Sequence, residues 1–533
     1  MSGFQLSALD LYMVGAYSLI IIVIGFWVGR KTETAEDYFL AGRSLIWPLV
    51  GFSLFASNIS SSTLIGLSGA AYSSGIAVYN YEWFAVVVLI LFIFVFLPFY
   101  LKTRVYTMPE FLERRFDQRS RYYMATIVII LNVVLETAGG LYAAAIVVQL
   151  AYPGIELWQS IIALALLAGV YTAAGGLKAV VYTDAIQAVL LLVGSLAISV
   201  IAFNQVGSWA AVVEAVSPDK LSLIRPASDP NMPWPALLTG IPLLGVYFWC
   251  SNQFMVQRAL GSKSLDHARW GSLFAGLLKI PVLFIMVLPG TFAIILYPAL
   301  ENADMVFPTM LFDLLPSGIR GLMLVALVAA IMSSIDSTLN AVSTMVTFDF
   351  VKKLRPQTTD KGLVTIGRVA TVAVMVLGAL WAPQIAQFEN LWDYLQEVLA
   401  YMTPPIVACF LVGVFWKRAN ADGAFAGLVG GFLIAMAIFA LRVMERMGAN
   451  PPITIELHFL YMATILFVLS SLIIVVVSLR TAPPPAETAE LVWSRAMYRE
   501  DTERLRGVVW YKNYRVLSVL LLALTLSVVG MFW

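Results

Sequence analysis

Apolar runs of about twenty residues recur from one end of this sequence to the other, and they constrain the fold more than any other feature. A helix needs a run of that length to cross the hydrocarbon of a bilayer. No water reaches the backbone there, so each segment must satisfy its N–H and C=O groups within its own helix or within a sealed barrel. Barrel strands are shorter and alternate in polarity, and these runs do neither. Of the 533 residues, 60% are hydrophobic and 12% charged, which is the composition of an all-α integral membrane protein. The formal net charge of +1 gives nothing for nucleic acid to bind.

Spans are expected near 10–29, 47–76, 77–101, 122–151, 157–176, 179–204, 235–257, 270–298, 319–350, 365–387, 389–416, 422–441, 456–479 and 513–532, about 14 in all. The first run follows Asp10 and precedes Arg30 and Lys31. That order reverses the basic start of a signal peptide, so this run is expected to be retained as a span. Assigning the connections alternately to the two sides puts 27 of the 33 lysines and arginines on one side, five on the other, and Lys279 inside a span. By the positive-inside rule the rich side is cytoplasmic, so both termini are expected outside a plasma (inner) membrane. An outer connection at about 205–234 is rich in Pro, Asp and Ser, and an inner linker near 481–507 begins TAPPPAE and continues as a short charged helix. Cys250 and Cys409 both fall in apolar runs, and with only His267 and His458 neither a disulfide framework nor a histidine metal site is expected.

Polar residues in mid-span are the next signal. The stretch SNISSST, Ser57 to Thr63, interrupts the second span, and Ser251-Asn252 interrupts the seventh, five spans later. Backbone that leaves helical geometry inside a membrane is tolerated only against protein or water, where its carbonyls can coordinate an ion or solute. The competing explanation, serines bonded to their own helix at close packing contacts, suits one or two hydroxyls better than this density. In AAIMSSIDSTLN, Ser333, Asp336 and Ser337 share one helix face by three-and-four spacing, so oxygen ligands of the kind hard cations prefer converge there. Lys279, Glu82 and Glu136 stand alone in apolar surroundings, which invites pairing or function. Glu136 is followed by Ala-Gly-Gly and reads first as a packing position. There is no HExxH, GxSxG or GxxxxGK[ST] pattern, so neither an enzyme nor direct ATP coupling is indicated.

Eight ordered segments, among them DYFLAGRS (37–44), SLFASNISSSTLIGLSG (53–69), GGLKAVVYTDAIQ (175–187), YFWCSNQFMVQRALGSKS (247–264) and MSSIDSTLNAVSTM (332–345), resemble the solute:sodium symporter family and within it the sodium/glucose cotransporter branch. The resemblance implies a LeuT-like five-plus-five inverted repeat. The first span and inner loop would occupy 1–46, the repeats 47–204 and 235–416 around the outer loop 205–234, and three further spans 417–533. It implies sodium as coupling ion, with no organic cofactor, held by the carbonyls of Ala56, Ile59 and Ala330 and the hydroxyls of Ser333 and Ser334. Asp184 and Asp336 are implied as secondary ion positions. For the solute it implies Glu82, Lys279 and Gln396, with Thr63 in the site and Phe248 closing it from inside. Thr63 and Gly245 stand where galactose-transporting members place amides, and Phe248 where they carry a tyrosine. The expected function is sodium-coupled symport of a small polar solute, a sugar or polyol. The alternatives are a carboxylate or amino-acid-type substrate, which Glu82 would repel, and a transporter-fold membrane sensor.

Overall fold

The computed structural model describes residues 7–29, 34–151, 154–388, 390–446 and 457–533, and within these the chain is almost wholly helical. Eight of the described helices are individually long and apolar enough to cross a membrane, and eleven spans result when three bent pairs are each counted once. The sequence suggests about fourteen. One difference is visible: winding continues from Leu157 to Val206, 50 residues, where two spans meeting near Lys178 are expected. No proline lies between those ends to stop the helix.

The expected interruptions are present. Trp47–Asn58 ends at Ile59, whose ψ of 68° leaves the helical range, and Ser61–Ser74 starts again after Ser60 in an extended conformation. The two halves are bent by 55°. Serine makes this break locally favourable, because its hydroxyl offers the backbone an alternative to the helical ladder. The Ser60 side chain accepts from the Thr63 N–H at 3.2 Å, and Thr63 Oγ1 donates to the Asn58 carbonyl at 2.6 Å. In the second interruption, Gly240–Val246 runs into a π-helical turn, Tyr247–Ser251. Asn252 is then extended and caps Gln253–Leu260 by accepting from the Phe254 N–H.

The following helices of the two halves share a further irregularity. Asn80–Leu91 passes through a π turn, Phe92–Phe96, into Leu97-Pro98. Leu265–Lys279 bends by 40° and passes through Leu283–Val287 into Leu288-Pro289. Proline has no N–H to donate, and a widened turn ahead of it accommodates the loss. Trp47–Asn58 packs against Leu265–Lys279 through two glycines. A Cβ on Gly51 would lie 2.9 Å from the Gly271 carbonyl oxygen, and one on Gly271 would lie 2.7 Å from Val50. Such close approach is how helices gain contact in lipid, where apolar burial gives no advantage over lipid tails.

Two segments outside the span regions are also ordered. The outer connection carries the short helix Trp209–Ala215 and a bridge between Arg225 and Pro233. The charged linker carries the helix Arg495–Arg504, its Asp501 bonded to Arg269 at 3.0 Å and to the Tyr514 hydroxyl at 2.5 Å.

Candidate functional site

Beside the first break lies a cavity of about 90 Å³ whose lining includes Asn58, Thr63, Glu82, Glu136, Phe248 and Gln396. Glu82 reaches it from the first turn of Asn80–Leu91. That turn is fixed from behind: Asn80 Nδ2 donates to the Leu223 carbonyl at 2.7 Å, and Trp83 Nε1 donates to Asn80 Oδ1 at 2.6 Å. Lys279 ends Leu265–Lys279 and puts its Nζ 2.5 Å from Glu82 Oε2. Both side chains are buried. The ammonium also lies 5.5 Å from the Trp249 ring centroid and 5.9 Å from that of Phe55, a face that favours a cation. The pair is therefore self-neutralising, and Lys279 does not stand as a free countercharge for an anionic solute.

The site residues expected from the sequence meet in part. Glu82, Thr63, Phe248 and Gln396 share the cavity, with Lys279 held by Glu82. Thr63 spends its hydroxyl on the Asn58 carbonyl, so its clear structural role is to tie the two sides of the break. Phe248 packs edge-on against Trp249 and Phe254, at 5.3 and 5.6 Å between centroids.

The ion-binding expectation centres on the break itself. Ala56 and Ile59 are buried there, in the last turn of a helix whose final carbonyls have no intrahelical donors. Ile319–Met345 packs against both halves of the broken helix. It carries Ser334, buried, with its Oγ 3.0 Å from the Ala330 carbonyl. The side chains of Ser333 and Asp336 lie outside the described residues. Carbonyl and hydroxyl oxygens suit a hard cation, and no group of three or more His, Cys, Asp or Glu residues forms a metal cluster among the described residues.

Two features went unread in the sequence. The first is a buried polar brace. Ser53 Oγ donates to Asp184 Oδ2 at 2.6 Å, and Arg258 Nε donates to Ser53 Oγ at 2.8 Å. Arg258 also reaches Asp184 at 3.5 Å, the Phe254 carbonyl and Ser337 Oγ. It thus joins both broken helices, the helix of Asp184 and the serine-bearing helix. The readable signal was an arginine six residues past the Asn252 break, in a helix whose described side chains are all buried. The second feature is an aromatic pair: Tyr81 and Trp392 meet edge-on at 5.4 Å and line both the cavity and a larger vestibule of about 1010 Å³.

The profile of the Sodium:solute symporter family matches residues 38–431. The chain belongs to the sodium:solute symporter family. It is 35% identical over 546 residues to sodium/glucose cotransporter 1 of Oryctolagus cuniculus, covering 93% of this chain and 82% of that one. It is also 35% identical to the sodium/myo-inositol cotransporter of Bos taurus, covering 92% of this chain and 76% of the relative. Among solved structures, the substrate-bound outward-open state of a Na+-coupled sialic acid symporter superposes with a TM-score of 0.76 at 24% identity, over 90% of this chain and 99% of that one. The fold is therefore the LeuT-like helical fold of a sodium symporter. Arg258 links the two broken helices to the helix of Asp184 and the serine-bearing helix, and Tyr81 and Trp392 line the cavity at the opposite end of the break.

Proposed function

We propose that this chain couples the inward movement of sodium to uptake of a sugar- or polyol-class solute by alternating access. The observation that carries the proposal is the break in winding at Ile59-Ser60, packed against the serine-bearing helix Ile319–Met345 and bordering the polar cavity. An ion bound to Ala56, Ile59, Ala330, Ser333 and Ser334 would tie the broken helix to the helix beneath it and favour the form with the Arg258 brace closed. Asp184, already at that brace, and Asp336 would lie on the ion's route inward. The solute would bond Glu82, Lys279 and Gln396 beside Thr63, with Phe248 below. The Tyr81–Trp392 pair would open to admit it, and the Arg258 brace would part to release it. The driving force is the ion gradient, worth about 2.3 kcal/mol per charge per 100 mV plus the concentration term. The chain acts as a multi-pass plasma-membrane transporter with both ends outside, and not as an enzyme.

A solute without a carboxylate is favoured because Lys279 is already neutralised by Glu82 at 2.5 Å. The test is uptake into proteoliposomes under an imposed sodium gradient, with labelled sugars, polyols and carboxylates. Saturable uptake of a sugar or polyol that stops when potassium replaces sodium is expected. Uptake of carboxylates alone, or of nothing, would overturn the reading.

A further inference from the structure

The cavity holds a carboxyl group that no described protein group bonds. Glu82 and Glu136 both line it, and Lys279 neutralises Glu82. Glu136 sits in the π-helical turn Asn132–Thr137, and its carboxylate makes no hydrogen bond or ion pair with any described residue. The sequence suggested a packing role, and Glu136 also lines the cavity. Two further groups there are unpartnered. Trp392 Nε1 and Asn58 Oδ1 are buried, line the same cavity, and find no hydrogen-bond partner among the described residues. Trp392 itself is 7% exposed. Buried polar groups in proteins are almost always bonded, so such orphans mark where a ligand's polar groups belong.

Charge decides which ligand. A lone carboxylate in mid-membrane costs several kcal/mol unless something positive meets it. An ammonium group provides three donors, enough to bridge Glu136 and a neighbouring acceptor such as Asn58 Oδ1. The route in has the same sign: among its described lining residues the larger vestibule pairs Asp229 with Arg225 at 3.2 Å and Glu397 with Arg442 at 4.0 Å, and carries Asp393 and Glu445 in addition. An acidic funnel concentrates cations at its floor.

We infer that the preferred solute carries a protonated amine beside its hydroxyls, an amino sugar or aminocyclitol, with Glu136 as the residue that reads the amine. This rests on the symport reading and narrows its substrate class. Uptake of D-glucosamine, D-glucose and N-acetyl-D-glucosamine is compared in proteoliposomes at pH about 7.5, where an amine titrating in the α-amino range is still substantially charged and a buried carboxyl can ionise beside it. Sodium-dependent D-glucosamine uptake is expected with a KM about ten- to a hundredfold below those of the two neutral sugars, the worth of one charge-assisted hydrogen bond. Glu136→Gln should bring that ratio close to one, and Glu136→Asp should restore part of it. Equal handling of D-glucose and D-glucosamine by the wild type, or an unchanged ratio in Glu136→Gln, overturns the inference. So does a Glu136→Gln effect confined to sodium affinity. Quenching of tryptophan fluorescence, with Trp249 and Trp392 both at the cavity, reads D-glucosamine binding without transport. Binding that Glu136→Gln abolishes, with no uptake of any solute, would refute symport and leave this inference standing. Sodium-driven uptake of neutral sugars with no amine preference would do the reverse.

Discussion

Removing Lys279 separates a structural from a functional role for the buried ion pair. At the 2.5 Å separation seen here, two unit charges attract by about 6–7 kcal/mol at an effective dielectric of about 20. Desolvation of each ion offsets several kcal/mol of that. The net worth of the intact pair is therefore small, but Lys279→Met alone strands Glu82 as a buried, uncompensated carboxylate. That is expected to cost about 3–5 kcal/mol. Adding Glu82→Gln removes the stranded charge and should return most of the lost stability. If the pair binds solute, the double variant stays inactive although it is stable. The assay is the thermal unfolding midpoint in detergent, measured beside sodium-driven uptake in proteoliposomes. The expected order of midpoints is wild type near the double variant and both above Lys279→Met, with uptake lost in both variants. A double variant that regains uptake would show that the pair serves only packing. A Lys279→Met protein as stable as wild type would refute the electrostatic argument itself.

Ser334→Ala removes one proposed ion ligand and should raise the half-saturating sodium concentration by about ten- to a hundredfold, with a midpoint close to wild type; an unchanged sodium dependence would remove Ser334 from the ion site. Burial pushes the Asp501 carboxyl upward, but the Tyr514 hydroxyl, Arg269 and Arg504 outweigh it and hold it below its ordinary value. Its folded pKa being depressed, its contribution is present above the unfolded value and lost as pH falls below about 4. Asp501→Asn should therefore expose Arg495–Arg504 to limited proteolysis at neutral pH, and equal resistance of variant and wild type would contradict this. His458 caps Phe459–Arg480 by accepting from the Leu460 N–H at 3.3 Å. Burial first, then Arg442, lowers its pKa to about 4 against the opposing effects of the Asn231 backbone and Asp229. Stability from His458 is thus full above about pH 6.5 and lost as pH falls toward 4. His458→Asn, which keeps a capping acceptor, should flatten the dependence of the unfolding midpoint on pH between those limits; an unchanged slope would count against it.

The parts legible in the sequence share a physical cause. A polar residue in an apolar run stands out because lipid penalises it, so Ser57–Thr63, Ser251-Asn252, Glu82 and Lys279 could all be singled out. In the structure both breaks occur and the two charges are bonded to each other. Arg258 was hidden by its position: at the end of a span it counted toward topology, and nothing local shows that Asp184, 74 residues earlier, meets it. Tyr81 and Trp392 were hidden by abundance, since 13% of the chain is aromatic and which rings pair depends on tertiary packing. The π turns leave no periodicity to read. The continuous winding of Leu157–Val206 shows the limit of run length as a guide, because a charged residue such as Lys178 can interrupt hydropathy without interrupting a helix. Ala-Gly-Gly after Glu136 explains close packing, and Gly139 and Gly140 do approach Leu395 and Ile335, but the sequence gives no sign that Glu136 also lines the cavity.

The central claim is that one protein site makes sodium and solute move together. Labelled sodium and labelled solute should be followed simultaneously into the same proteoliposomes, first with only the solute gradient imposed and then with only the sodium gradient. Coupled symport predicts that each gradient drives the other species inward, in a ratio that does not change with the size of either gradient. Solute influx that proceeds equally fast in equimolar potassium, with no sodium following it, would contradict the account.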